Sequence, residues 1–246
     1  MQSARTIRDS LQAVFALRQS VAAEPGLRPA LGEVKRLQAR RFSGTYADLL
    51  RSPAYAPAAR FFLQELYGSK DYSQRDEQFA RIAGAIERLF PAQVAQTAAD
   101  LAHLHALTED LDVQMARIWL AQSGQLGEAR RYALAWHQLG RADERGLQLT
   151  SVVAMGQDLA RLTRTTGLRT MLRMMRGPAT AAGMGALQAF LETGFDTFAG
   201  MARQRGTVEH FLDTVRRREQ ALMELLYGDD LVASETELVR TLGQAP

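Results

Sequence analysis

Four histidines and the carboxylates are the side chains with metal or acid–base chemistry on offer, because the chain contains no cysteine. That absence removes disulfides, thiolate metal sites, iron–sulfur clusters and a cysteine nucleophile. A carboxylate-bridged di-metal site in a helical bundle needs paired Glu-x-x-His motifs and two further glutamates. Only Asp100-x-x-His103 has an acidic-x-x-His pattern, and it has no second copy. His103 and His105 lie two residues apart, so on a helix they point about 200° from one another and cannot clasp one ion. His105 can instead pair with Glu109 one turn on. A haem with one axial histidine needs no motif, and His105 and His137 are the candidates for it. No G-x-S-x-G elbow and no phosphate-binding G-x-x-x-x-G-K-[ST] loop occurs. Gly183-Met184-Gly185 lacks the third glycine of a dinucleotide fingerprint and reads as a helix-packing segment. Asp229-Asp230 reads as an exposed pair just past a helix end. No catalytic residue, metal site or cofactor is assigned.

The densest chemistry falls between Arg41 and Arg81, around Phe61–Gly68, which reads FFLQELYG. On a helix, Ala59, Phe62 and Leu66 share one face while Phe61 and Glu65 share the next, so the helix is buried on more than one side. Glu65 then needs a cation, with Arg60, Arg75 and Arg81 nearby in sequence and Arg41 able to return in space. Tyr46, Glu65, Tyr67 and Arg75, with Arg60 beside them, form a candidate pocket of polar groups in an apolar wall. The competing reading is a rigid helix–turn–helix corner, with Gly68 as a left-handed cap.

A second constellation is basic. No acidic residue occurs between Asp158 and Glu192, whereas Arg161, Arg164, Arg169, Arg173 and Arg176 do. Arg169, Arg173 and Arg176 sit at i, i+4 and i+7, on one face of a helix whose other face carries Leu168, Met171, Leu172 and Met175. Such a helix can bind an anion, nucleic acid or a membrane surface, or be a solvated face paired to acids elsewhere. The net charge of +3 gives no separate reason to expect nucleic acid. All but two of the 30 basic residues are arginine, a bias that reflects base composition of the coding sequence more simply than phosphate recognition.

The elements that must position these residues are helical. Apolar residues recur with the 3.6-residue period, from Ile7, Leu11 and Val14 through Val94, Ala98, Leu101, Leu104, Leu111, Met115 and Ile118. Pro57 opens the helix of the motif, and Ser73 with Asp76 forms a box-like cap for the next, whose apolar positions run from Phe79 to Leu89. A long helix runs from Pro91 to about Gln122, followed by helices near 128–138 and 144–165. Leu168–Met175 ends at Gly177-Pro178, and the Gly-, Ala- and Met-rich segment 179–202 permits close helix approach. The last strong helix runs 207–227, ending at Gly228. The hairpin-like segment WLAQSGQLGEARRYALAWHQLG occurs once, so no repeat array is expected. The expectation is an all-α bundle of nine or ten helices in one compact domain, 1–246, with a weak subdivision near 124–140.

In FFLQELYG, continued through Tyr72, Arg75 and Asp76, the sequence resembles a family of bacterial, mainly proteobacterial, proteins named for an FFLEELY motif, with Gln64 where the name has Glu. The resemblance supplies no activity and no catalytic residue. No 18-residue apolar run and no secretion signal is visible, so no membrane span is expected and the expected location is the cytoplasm. The functional expectation is a non-catalytic binding protein for a protein partner or a small ligand, with homo-oligomerisation compatible. The alternatives are a haem, metal or enzymatic site between helices, and anion or nucleic-acid binding through Arg161–Arg176.

Overall fold

In the computed structural model, which describes residues 2–65, 72–122 and 125–245, the chain is all helical, with twelve helices and no strand among the described residues. They are α1 (Gln2–Ala23), α2 (Leu27–Thr45), α3 (Ala47–Arg51), α4 (Ala56–Glu65), α5 (Ser73–Leu89) and α6 (Ala92–Ala121). There follow α7 (Glu128–Leu139), α8 (Ala142–Leu162), α9 (Leu168–Ala181), α10 (Gly185–Met201), α11 (Thr207–Tyr227) and α12 (Leu231–Gly243). Helix α6, 30 residues and so about 45 Å long, is the axis on which α1, α2, α7 and α8 pack.

Its two halves feed different cores. The N-terminal half contributes Ala95, Ala99 and Ala102 to a core with Ile7, Leu11, Phe79 and Ala83. The C-terminal half contributes Met115 and Trp119 to a second core with Leu27, Val34, Tyr132, Leu226 and Leu238. A third, aromatic core joins Phe42, Phe62, Phe198 and Phe211 from α2, α4, α10 and α11 with Tyr46, the residue between α2 and α3. The small residues on α1 and α6 let long helices pack along one another, which is where alanine is most useful in a bundle.

Several expectations about single elements change. Helix α9 continues through Pro178 to Ala181, although proline lacks the N–H that would bond the carbonyl four residues back. Gly183-Met184-Gly185 is the turn between α9 and α10, and the Gly183 carbonyl accepts a hydrogen bond from Gln78 Nε2 at 2.7 Å. Asp230 is the N-cap of a twelfth helix, its Oδ1 accepting from the Ala233 amide at 2.9 Å. The cap position of α5 is Tyr72, and Asp76 is turned into the protein. Leu89, expected on the buried face, is exposed. The close approach expected in segment 179–202 occurs at Gly194, where a Cβ would lie 3.1 Å from the Phe61 ring.

Candidate functional site

Helix α6 carries His105, Thr108, Glu109 and Asp112 at i, i+3, i+4 and i+7, a polar stripe turned inward between the two cores it serves. Helix α8 answers with Arg145 and Gln148, α2 with Lys35, Gln38 and Arg41, α5 with Arg75 and Asp76, and α11 with Glu219. All of them line one cavity of ≈ 90 Å³, room for a small ligand or a few waters by the roughly 10–15 Å³ that one water requires.

The charges in this wall are largely engaged with one another. Lys35 Nζ lies 2.6 Å from Glu109 Oε1. Gln38 Nε2 donates to Asp112 Oδ1 at 3.0 Å, with the Arg145 guanidinium 3.9 Å from the same oxygen. Arg145 also donates to Gln148 Oε1 at 2.9 Å, and Gln148 Nε2 donates to Thr108 Oγ1 at 2.8 Å. Burial pushes the Asp112 carboxyl up from the ordinary carboxylate range, despite the cations of Lys35 and Arg145. At the other end Arg75 donates to Glu65 Oε2 at 3.1 Å. Its guanidinium carbon lies 4.1 Å from the Tyr72 ring centroid and 4.5 Å from that of Phe190. Burial and the Glu65 carboxylate push the Tyr72 phenol up to about 12, so it stays a neutral donor to the Gln64 carbonyl at 2.6 Å.

Asp76 is the hub of that end. His105 Nε2 lies 2.9 Å from its Oδ2, Arg18 donates to the same oxygen, and Arg75 Nε is 3.7 Å from Oδ1. Burial alone would raise its pKa, but the hydrogen bonds and charges of His105 and Arg18 outweigh it and hold the carboxyl below 3.8. A depressed folded pKa means stability that is present above pH 3.8 and lost as pH falls through the folded value. Asp76→Asn should therefore cost about 3 kcal/mol at pH 7. The deficit relative to wild type should shrink in urea titrations carried below the ordinary carboxylate pKa. An equal deficit at pH 7 and pH 3 would show that the carboxylate charge is not what matters.

The residues singled out from the sequence are distributed unevenly. Glu65 and Arg75 are paired at the cavity wall. Tyr46 is fully buried and donates to Glu219 Oε1 at 2.9 Å, so it reaches the cavity only through that carboxylate. Arg60 is exposed. Tyr67 and Gly68 lie outside the described residues. The expected His105–Glu109 pair is replaced: His105 bonds Asp76 and Glu109 bonds Lys35, because α5 and α2 bring partners from outside α6. His137 is exposed, and no cluster of three potential metal ligands occurs among the described residues. In the basic segment, Arg169 pairs with Asp196 at 2.8 Å and Arg176 with Glu192, both acids on α10, while Arg173 is exposed.

Three polar atoms on residues that line the cavity, Arg145 Nε, Trp136 Nε1 and the Tyr132 hydroxyl, make no hydrogen bond of ordinary geometry among the described residues, although the Tyr132 hydroxyl and Trp136 are close enough to interact. Their residues are at most 5% exposed. Buried donors are nearly always satisfied, and each one left unmade costs about 1–3 kcal/mol. The residue types of the cavity carry no linear signature. The inward signal was the polar i, i+3, i+4, i+7 pattern on α6 itself.

Beside this cavity lies a second, of ≈ 210 Å³, lined by Leu, Ile, Phe and Met side chains of α4, α5, α6, α8, α9 and α10.

Comparison with family models matches residues 17–231 to the family described as Domain of unknown function (DUF8198). The chain belongs to the DUF8198 family. The matched span contains every residue of both cavities and the FFLQELYG stretch, and the family description assigns no activity. No curated protein and no solved structure matches the chain.

Proposed function

We propose that this DUF8198 member is a binding protein that holds a small ligand in the charged cavity between α2, α5, α6, α8 and α11. The observation that carries the reading is the set of buried polar groups on Arg145, Trp136 and Tyr132 without a hydrogen bond of ordinary geometry, on residues that line ≈ 90 Å³ of space. A ligand that brings acceptors satisfies them, and most of the remaining polar wall is already paired. Recognition of this kind rests on few placed polar groups in an otherwise prearranged pocket.

The Asp76–His105 contact at 2.9 Å favours a second reading, in which His105, oriented by a buried carboxylate as in a general base, acts on what is bound.

The test is a thermal-shift series with phosphate, acetate, succinate and octanoate, joined to mass spectrometry of small molecules extracted from natively purified protein. At least one acid should raise the Tm of wild type and leave Arg145→Gln unmoved. An extract without a stoichiometric small molecule, together with no shift from any acid, would end the proposal. Turnover of the bound compound in the same samples would select the catalytic version.

A further inference from the structure

The charged and apolar cavities share walls. Phe62, Phe79, Leu101, Leu104, Val152 and Leu187 line both, so a single layer of side chains separates them. The two long helices change character along their length at the same level. Helix α6 is polar from His105 to Asp112 and lines the apolar cavity from Leu104 back to Val94. Helix α8 presents Arg145 and Gln148 to the charged cavity, then Val152, Met155 and Leu159 to the apolar one. The distance from Arg145 to Leu162 along α8 is about 25 Å at 1.5 Å per residue. Polarity here varies along the helix axes, which makes a site with a wet end and an oily end.

Each end states its own requirement. A cavity of about 150 Å³ lined by Leu, Ile and Phe stays dry and takes apolar guests, and the apolar one here is larger, at ≈ 210 Å³. At the polar end Arg145 Nε, Trp136 Nε1 and the Tyr132 hydroxyl make no hydrogen bond of ordinary geometry. The carboxylates facing the cavity are engaged: Asp76 by His105 and Arg18, Glu65 by Arg75, Glu109 by Lys35, Glu219 by Arg41 and Tyr46, and Asp112 by Gln38, with the Arg145 guanidinium at a longer 3.9 Å. The site therefore asks for oxygen acceptors at one end and hydrocarbon at the other.

We propose that the occupant is a long-chain amphiphile with an anionic, oxygen-rich head, a carboxylate or a phosphate, an inference that rests on the ligand-binding reading above. The head lies against Arg145, Trp136 and Tyr132. The tail passes the shared wall, whose side chains part to admit it, and fills the apolar cavity toward Leu162.

Calorimetry of the full chain with acetate, octanoate, dodecanoate, hexadecanoate, dodecyl phosphate and dodecyltrimethylammonium, each below its micelle-forming concentration, tests this. Affinity should rise about three- to fourfold per added methylene until the cavity is filled. The cationic amphiphile should bind about tenfold more weakly or worse. Ala98→Phe and Leu159→Phe, which fill the apolar cavity from two different helices, should flatten the chain-length dependence. Arg145→Gln should weaken all anionic members by a common factor. The carboxylate and phosphate arms decide which head the site prefers. If acetate binds as tightly as dodecanoate and neither filling variant matters, the amphiphile is wrong and the small-ligand reading survives. If no compound binds, both fall. If the trimethylammonium compound equals dodecanoate, or Arg145→Gln is without effect, the anionic head assigned here is wrong.

Discussion

Gly44→Ala should destabilise the protein by about 3 kcal/mol or more, the upper end of the overpacking range. Near the C-terminus of α2, Gly44 faces the backbone of α12, and a Cβ there would lie 1.8 Å from the Thr241 carbonyl oxygen and 2.8 Å from its carbon. Contacts that short with backbone cannot be relieved by a rotamer change, so α12 must move away from α2 as a unit. The consequence extends past the clash. Leu238 and Leu242 of α12 are part of the core that also holds Leu37, Trp119 and Tyr132, and Tyr132 lines the charged cavity. Urea denaturation should show a lowered midpoint, and Gly44→Ser should behave at least as badly. A control at Gly127, where an added Cβ meets nothing within 4 Å, should change stability far less. If Gly44→Ala were neutral, α2 and α12 would not approach as described.

Arg41→Met should cost about 3–5 kcal/mol. Arg41 and Glu219 are both buried, with Nη1 2.5 Å from Oε1, and the Tyr46 hydroxyl donates to the same oxygen. Removing the guanidinium leaves a carboxylate in a region with little water, and the cost comes from that stranded charge more than from the lost attraction. The double variant Arg41→Met/Glu219→Met should recover most of the loss, because it removes both charges and keeps apolar volume in place. Denaturant unfolding of the single and double variants measures this as a coupling energy. A double variant as unstable as Arg41→Met alone would show that the pair is not the source of the cost. The pair joins residues 178 positions apart, so the loss also tests whether α2 and α11 are clamped at the cavity wall.

The two predictions bear on how far the amino-acid order speaks for itself. Helix existence was legible in it, because burial of a stripe needs only the local period: Ile7, Leu11 and Val14 are fully buried as their spacing implies. So was the double burial of the motif helix. Phe61 and Phe62 are both buried, one against Phe190 and the other against Phe198 and Phe211. That Glu65 needs a cation was also legible, with Arg60, Arg75, Arg81 and Arg41 open to it; the fold brings Arg75.

What could not be read was every partnership made at long range. Asp76 looks like a helix cap from its neighbours and is instead bound by Arg18, 58 residues away, and His105, 29 residues away. Nothing in the residues beside Gly44 marks it out, and only the approach of Thr241 makes a side chain there untenable. Leu89 continues an apolar stripe past the point where α5 leaves the core. Local composition determined that the chain is a bundle of amphipathic helices in which Phe61 and Phe62 are buried on two sides of α4. Tertiary structure decided that the inward polar stripe of α6 meets α2, α5 and α8 around a cavity, because charges pair in space, and their position along the chain does not say which helix will bring the partner.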